Sequence, residues 1–226
     1  MTKKVIILNG SPRRNFNTAK LLKEAQRGAE AAGAQTEFIN LYDLNFKGCM
    51  SCFACQRKGS TTEGVCAIRD DLKPVLEKCI DADAIIIGTP VYFSYPTGIF
   101  RSFVERLMFP NHTYMVDKEH GGLKRRLGDR IIPTGVIFTM NCPEEMAKGI
   151  NYFTILDENV SALNHIMGYA ESVYSHDTKQ FADFSKYNCD LFDENHKNEV
   201  QQKQFPIDME KSFNLGKKLT EMNFNE

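Results

Sequence analysis

The chain has 226 residues, 42% of them hydrophobic and 25% charged, and a formal net charge of −1. That balance excludes the weakly hydrophobic, highly charged composition of disordered chains, and it leaves no surplus of positive charge to attract a nucleic acid or an anionic membrane. There is no run of about 18 apolar residues to span a bilayer, and Met1-Thr2-Lys3-Lys4 leads into an apolar strand without a signal-peptide layout, so a cytoplasmic protein forming one domain over residues 1–226 is expected.

Lys4-Val5-Ile6-Ile7-Leu8 is a short continuous apolar run, the pattern of a strand buried on both faces of a parallel sheet. After a loop from Asn9 to Asn17, Leu21, Leu22, Ala25, Ala29 and Ala32 recur at helical spacing, and Gly33 stops the helix. A second strand is predicted over 37–41. A cysteine-rich insertion follows over about 42–71, then a helix over 72–80 and a third strand over 84–88 before Thr89-Pro90. The next helix, 97–108, places Ile99, Phe100, Phe103, Val104 and Leu107 on one face, and its Arg101, Glu105 and Arg106 read as helix surface or subunit contact. Residues 110–130 are a polar connection in which Lys124-Arg125-Arg126 reads as solvated surface. A strand over 135–140, a helix over 152–166, a strand over 170–176 and a last helix over 209–222 complete the chain, the end of it lying in an extension over about 180–226. Strands and helices that alternate in this way predict an α/β fold, with a parallel sheet covered by helices on both sides.

The chemistry concentrates at the joints. Asn9-Gly10-Ser11-Pro12-Arg13-Arg14-Asn15-Phe16-Asn17-Thr18 connects the first strand to the first helix. A helix N-terminus offers free N–H groups and partial positive charge, so hydroxyls, amides and an Arg gathered there suit a phosphate. Ser11 and Thr18 supply hydroxyls, Asn15 and Asn17 amides, and Arg13 a neutralising charge; an ordinary turn capped by Asn17 is the plainer alternative. Neither Gly-x-Gly-x-x-Gly nor the nucleoside triphosphate loop is present there, so the expected anion is a monophosphate ester.

Gly10-Ser11-Pro12-Arg13 with Asn17-Thr18, and Gly88-Thr89-Pro90-Val91-Tyr92-Phe93-Ser94-Tyr95-Pro96 after the third strand, resemble the flavodoxin-like NAD(P)H-dependent FMN reductase family from Lys4 to about Met140. The resemblance implies a flavodoxin-like, doubly wound, five-stranded parallel sheet in the order 2-1-3-4-5, in three α/β/α layers. Ligands then bind at the switch point between the first and third strands, where both loops converge. It assigns Ser11, Arg13, Asn15, Asn17 and Thr18 to the FMN phosphate, Pro90, Val91, Tyr92 and Phe93 to the flavin ring, and Thr139, Met140 and Asn141 to the ring edge. Tyr92 and Phe93 as plain core is the other reading of those aromatics. The resemblance further implies NAD(P)H as electron donor, a small acceptor such as a quinone or flavin, and a homodimer or homotetramer. It names no catalytic acid or base, because the cofactor carries the chemistry.

Cys49-x-x-Cys52-x-x-Cys55 followed by Cys66 puts four thiols within 18 residues, the number that holds a [4Fe–4S] cluster. Structural zinc and free thiols remain alternative fates. The iron-sulfur flavoproteins, a branch of the same family, resemble the chain in this compact motif, although their last gap is shorter than the ten residues between Cys55 and Cys66. That branch implies an electron carrier with a ferredoxin-like partner. Cys79, Cys142 and Cys189 have no partner by spacing and read as small hydrophobes.

Overall fold

The apolar runs assemble into one sheet. In the computed structural model, which describes residues 2–224 apart from 61, 63, 120 and 125, β1 (Lys4–Asn9) lies between β2 (Gln35–Asn40) and β3 (Ala84–Tyr92), parallel to both. A two-residue strand, β4 (Tyr95–Pro96), folds back antiparallel on the end of β3. β5 (Thr134–Thr139) pairs parallel with β3, and β6 (Ala170–Ser175) with β5. The path β2-β1-β3-β5-β6 is the expected 2-1-3-4-5 order of five parallel strands, with the β4 hairpin added.

Alternate residues of each strand enter opposite layers, the period-2 consequence of the pleat. Val5, Ile7, Ile86 and Ile137 pack under α1 (Asn17–Ala31) and the C-terminal helix over Phe205–Glu221, through Leu21, Leu22, Ala25, Leu215 and Leu219. Ile6, Leu8, Ile85, Ile87, Val136 and Phe138 face the opposite layer. That layer consists of α2 (Lys73–Asp81), α3 (Gly98–Asn111) and, after the short α4 (Glu144–Gly149), α5 (Tyr152–Met167), and it presents Leu76, Phe100, Phe103, Leu107, Leu156 and Leu163. Two further helices follow β6: α6 (Glu194–Lys203) and the C-terminal one, α7 (Phe205–Glu221). Among the described residues no helix is long and apolar enough to cross a membrane.

The differences from the sequence reading have physical causes. α6 reads Glu-Asn-His-Lys-Asn-Glu-Val-Gln-Gln-Lys, with no apolar stripe to reveal it. It is started instead by Asp193, whose side chain accepts from the His196 N–H at 2.7 Å. α7 begins four residues earlier than expected, at Phe205, with Pro206 in its first turn, where a missing N–H costs nothing. β3 runs past Thr89-Pro90 to Tyr92 because the β4 hairpin pairs with its far end.

Arg106 overturns its reading as surface: it is 1% exposed. Its guanidinium grips both oxygens of Asp70, with Nη2 donating to Oδ1 at 2.9 Å, and Nη1 donates to the Lys47 carbonyl at 3.1 Å. A single buried cation on α3 therefore ties down both ends of the cysteine-rich segment. Arg101 and Glu105 are paired with each other at 3.2 Å on the helix surface, in keeping with the reading made for them. Of Lys124-Arg125-Arg126, Arg125 lies outside the described residues, while Arg126 donates to Gln56 Oε1 at 3.2 Å.

Candidate functional site

β1, β3 and β5 end in register, with Asn9 opposite Gly88 and Pro90 opposite Thr139, so the loops that leave them surround one cleft. The cleft is an open one, with about 480 Å³ of space between its walls when the adjoining solvent is counted. Its walls are Ser11, Arg13, Phe16, Asn17 and Thr18 from the first loop, Pro90, Val91 and Tyr92 from the second, Thr139, Met140 and Asn141 from the third, and Thr178 and Gln180 from the loop after β6.

The first wall has the character of an anion site. Phe16 occupies the N-cap position of α1 and supplies no side-chain cap, and no acidic residue sits in the first turn, so the helix end keeps unpaired N–H groups and its partial positive charge. Ser11, Asn17 and Thr18 are buried polar residues beside it. Ser11 Oγ accepts from the Arg13 N–H at 3.2 Å, Thr18 Oγ1 shares a proton with Thr139 Oγ1 at 2.7 Å, and Arg13 stacks its guanidinium on the Phe16 ring at 4.2 Å.

A hydroxyl pair behind the cleft locks the loops together. Thr97 Oγ1 donates to the Gly10 carbonyl at 3.0 Å, and the Thr97 N–H donates to Thr89 Oγ1 at 3.1 Å. Beyond Pro90 the chain turns back through Phe93 and Ser94, both at positive φ (50° and 73°) without being glycine, a backbone strain that persists only where the surroundings enforce it. Tyr92, Phe93 and Tyr95 are exposed on this hairpin, and Phe93 is 95% exposed.

Ten of the twelve residues expected around a flavin line this cleft. Asn15 stands on the outer side of its loop, exposed, and accepts from Lys23 Nζ at 3.3 Å; Phe93 projects from the hairpin tip. Phe16, Thr178 and Gln180 line the cleft without having been singled out from the sequence. Thr178 and Gln180 lie in a segment with no recognisable motif. They arrive because the Thr178 N–H donates to the Met140 carbonyl at 2.9 Å, while the Gln180 and Lys179 carbonyls accept from Arg13 Nη1 at 2.6 Å and Asn17 Nδ2 at 2.9 Å.

The cysteine motif lies in mostly irregular chain, with Cys55 in a single 3-10 turn over Ala54–Gln56 and with Ser51 and Phe53 at positive φ between successive thiols. Cys55 and Cys66 are buried, Cys49 is half-buried and Cys52 is exposed. Burial pushes the Cys55 thiol up, and Cys66, Cys52 and Cys49 add to the shift, so the four share one neighbourhood. No group of three or more metal-ligating side chains is gathered among the described residues, however, and as placed the thiols do not form a metal site. Cys79 is fully buried in the core, as a small hydrophobe should be.

Residues 3–123 match the family described as NADPH-dependent FMN reductase. The chain belongs to that family. Its members are flavin-dependent oxidoreductases by description, and the match spans the first two walls of the cleft while leaving the third and fourth outside it. Over 103 residues, 46% of this chain, it is 40% identical to an iron-sulfur flavoprotein of Archaeoglobus fulgidus, covering 48% of that protein. It is 39% identical over 103 residues to an iron-sulfur flavoprotein of Methanocaldococcus jannaschii, covering 46% of this chain and 51% of the other. The chain thus spans about half the length of the curated relatives it matches. Among solved structures, an NAD(P)H:quinone oxidoreductase from Methanothermobacter marburgensis superposes with a TM-score of 0.65 at 18% identity, covering 99% of this chain and 100% of that one. An azoreductase from Bacillus anthracis gives 0.64 at 15% identity, covering 96% and 100%. At these identities the likeness is one of fold.

The residues present suit FMN. The α1 end with Ser11, Arg13, Asn17 and Thr18 matches the charge and hydrogen-bonding demand of a phosphate, Tyr92 and Val91 offer flat apolar surface for a ring, and Asn141 Oδ1 is a buried acceptor with no protein partner.

Proposed function

We propose that the chain binds FMN in this cleft and transfers electrons from NAD(P)H to a small acceptor such as a quinone or a free flavin. The observation that carries the reading is the convergence on one cleft of an uncapped helix end, buried hydroxyls and an Arg at one side with an aromatic hairpin and an unsatisfied amide at the other. Ser11, Arg13, Asn17 and Thr18 hold the phosphate, Pro90, Val91 and Tyr92 pack along the ring, and Thr139, Met140 and Asn141 border its edge. Bound FMN supplies reversible one- and two-electron chemistry at its ring. The chain's own part is to bind and orient the cofactor, with Thr97 and Thr89 keeping the two loops at a set spacing and the hairpin over Tyr92–Tyr95 standing beside the open side, where donor and acceptor approach. The same reading takes residues 1–226 as one domain that acts as a dimer or tetramer.

The names of the curated relatives favour a second reading, an iron-sulfur flavoprotein that carries electrons between a ferredoxin-like donor and an acceptor. It requires Cys49, Cys52, Cys55 and Cys66 to close around a [4Fe–4S] cluster from the open arrangement described above. Anaerobic purification with flavin and iron quantified per chain, followed by addition of NADPH or NADH, separates the two. Flavin without iron, bleached rapidly by a nicotinamide, is the expected result. About four irons per chain and slow bleaching would replace it with the carrier, and a chain that takes up no flavin would end both.

A further inference from the structure

Lys197 is a lysine with no exposed surface at all, on a polar helix far along the chain from every motif that marks the site. A buried ammonium is costly unless each N–H finds a partner. Here Nζ donates to the backbone carbonyl of Asn141 at 2.6 Å and to Asp177 Oδ1, and it stands 4.4 Å from the centre of the Phe192 ring. Asp177 holds its second oxygen 2.5 Å from His196 Nε2, and its N–H donates to the Cys142 carbonyl at 3.0 Å. Asp177 also sits at φ 57°, a strained conformation for a non-glycine residue that persists only where its surroundings enforce it. Burial pulls the Lys197 ammonium below the usual lysine range, and the bond to Asp177 opposes that pull.

Both partners of Lys197 belong to segments that form the cleft. Asn141 lines it, and Asp177 directly precedes Thr178, which lines it too. The geometry points to Lys197 as a positioning residue for the flavin: paired with Asp177, it clamps the loop after β5 to the loop after β6 and so sets where Asn141 meets the ring edge. Lys197 would make no contact with the cofactor itself. The inference rests on the flavin reading of the cleft, and it assigns α6, which lies outside the matched family segment, a part in that site.

The test is the paired variant K197M/D177N, which removes both charges together and leaves no buried ion unpaired, an exchange that folded proteins commonly tolerate. FMN affinity is measured by quenching of flavin fluorescence, and the visible circular dichroism of FMN is recorded at saturation on wild type and variant. The expected result is a Kd weakened by about tenfold or more, together with a changed visible dichroism, because the ring edge then meets a displaced loop. A folded variant with Kd within about twofold of wild type, or one that binds more weakly with an unchanged dichroism, overturns the inference. So does a variant that fails to fold, since the pair would then be a stability element. Wild type that takes up no FMN overturns the flavin reading and this inference with it, and that failure is visible without the variant.

Discussion

Ser11 and Arg13 carry the sharpest residue-level expectation. Hydrogen bonds to a charged group contribute about 1.5–3 kcal/mol each, so S11A/R13A should weaken FMN binding by roughly a hundredfold. Riboflavin, which lacks the phosphate, should lose far less; equal loss for both ligands, by titration, would move the phosphate elsewhere. His176 gives a pH expectation. It packs against the Phe153 and Tyr174 rings, and burial holds its imidazole below the usual histidine value, with Glu144 and Asp208 pulling it up and Lys211 and Lys148 pushing it down. A depressed histidine favours the native state fully above its unfolded value of about 6.5, and that contribution disappears as pH falls through the lower folded value. Urea midpoints should therefore drop between neutral and mildly acid pH, and the drop should be smaller in H176F.

At the level of elements, α1 and α7 approach so closely that side chains are excluded from their crossing. A Cβ on Gly216 would lie 1.9 Å from the Ala25 carbonyl oxygen, and one on Gly28 would lie 1.9 Å from that of Phe213. Backbone cannot yield as a flexible side chain does, so G216A must push two helices apart over the core of Leu21, Leu22 and Leu215. A loss of about 3 kcal/mol is expected, at the upper end of overpacking costs, and chemical denaturation measures it. An unchanged midpoint would mean that the crossing is looser than described. Neither glycine was informative in the sequence, because each sits inside a helix where its neighbours, not its own conformation, require it.

For the molecule as a whole, the segment after β6 is integral. α7 covers the sheet face formed by Val5, Ile7, Ile86 and Ile137, and the loop after β6 supplies the fourth wall of the cleft. A chain ended after Ser175 should therefore lose both cooperative unfolding and FMN binding, read by thermal melting and flavin titration. Retention of a sharp transition would show that the first six strands and five helices hold a core without α7.

The family fold, the order of its parallel strands and the gathering of ten of the twelve singled-out residues around one cleft were legible in the amino-acid order, because continuous apolar runs, helix-start chemistry and the Gly-Ser-Pro-Arg loop are local signals. Thr178, Gln180 and Lys197 were not legible, since their roles come from backbone carbonyls and loops distant in the chain, and a buried lysine looks like a surface one until the chain has folded. Arg106 was misread as surface for the same reason: its partner Asp70 stands 36 residues earlier, and only packing brings the two charges together out of water. Sequence by itself determined which strands form the sheet and where the cleft must open. Tertiary structure alone decided which distant polar groups close it, because pairing across long separations is set by the packed layers and leaves no periodicity to read.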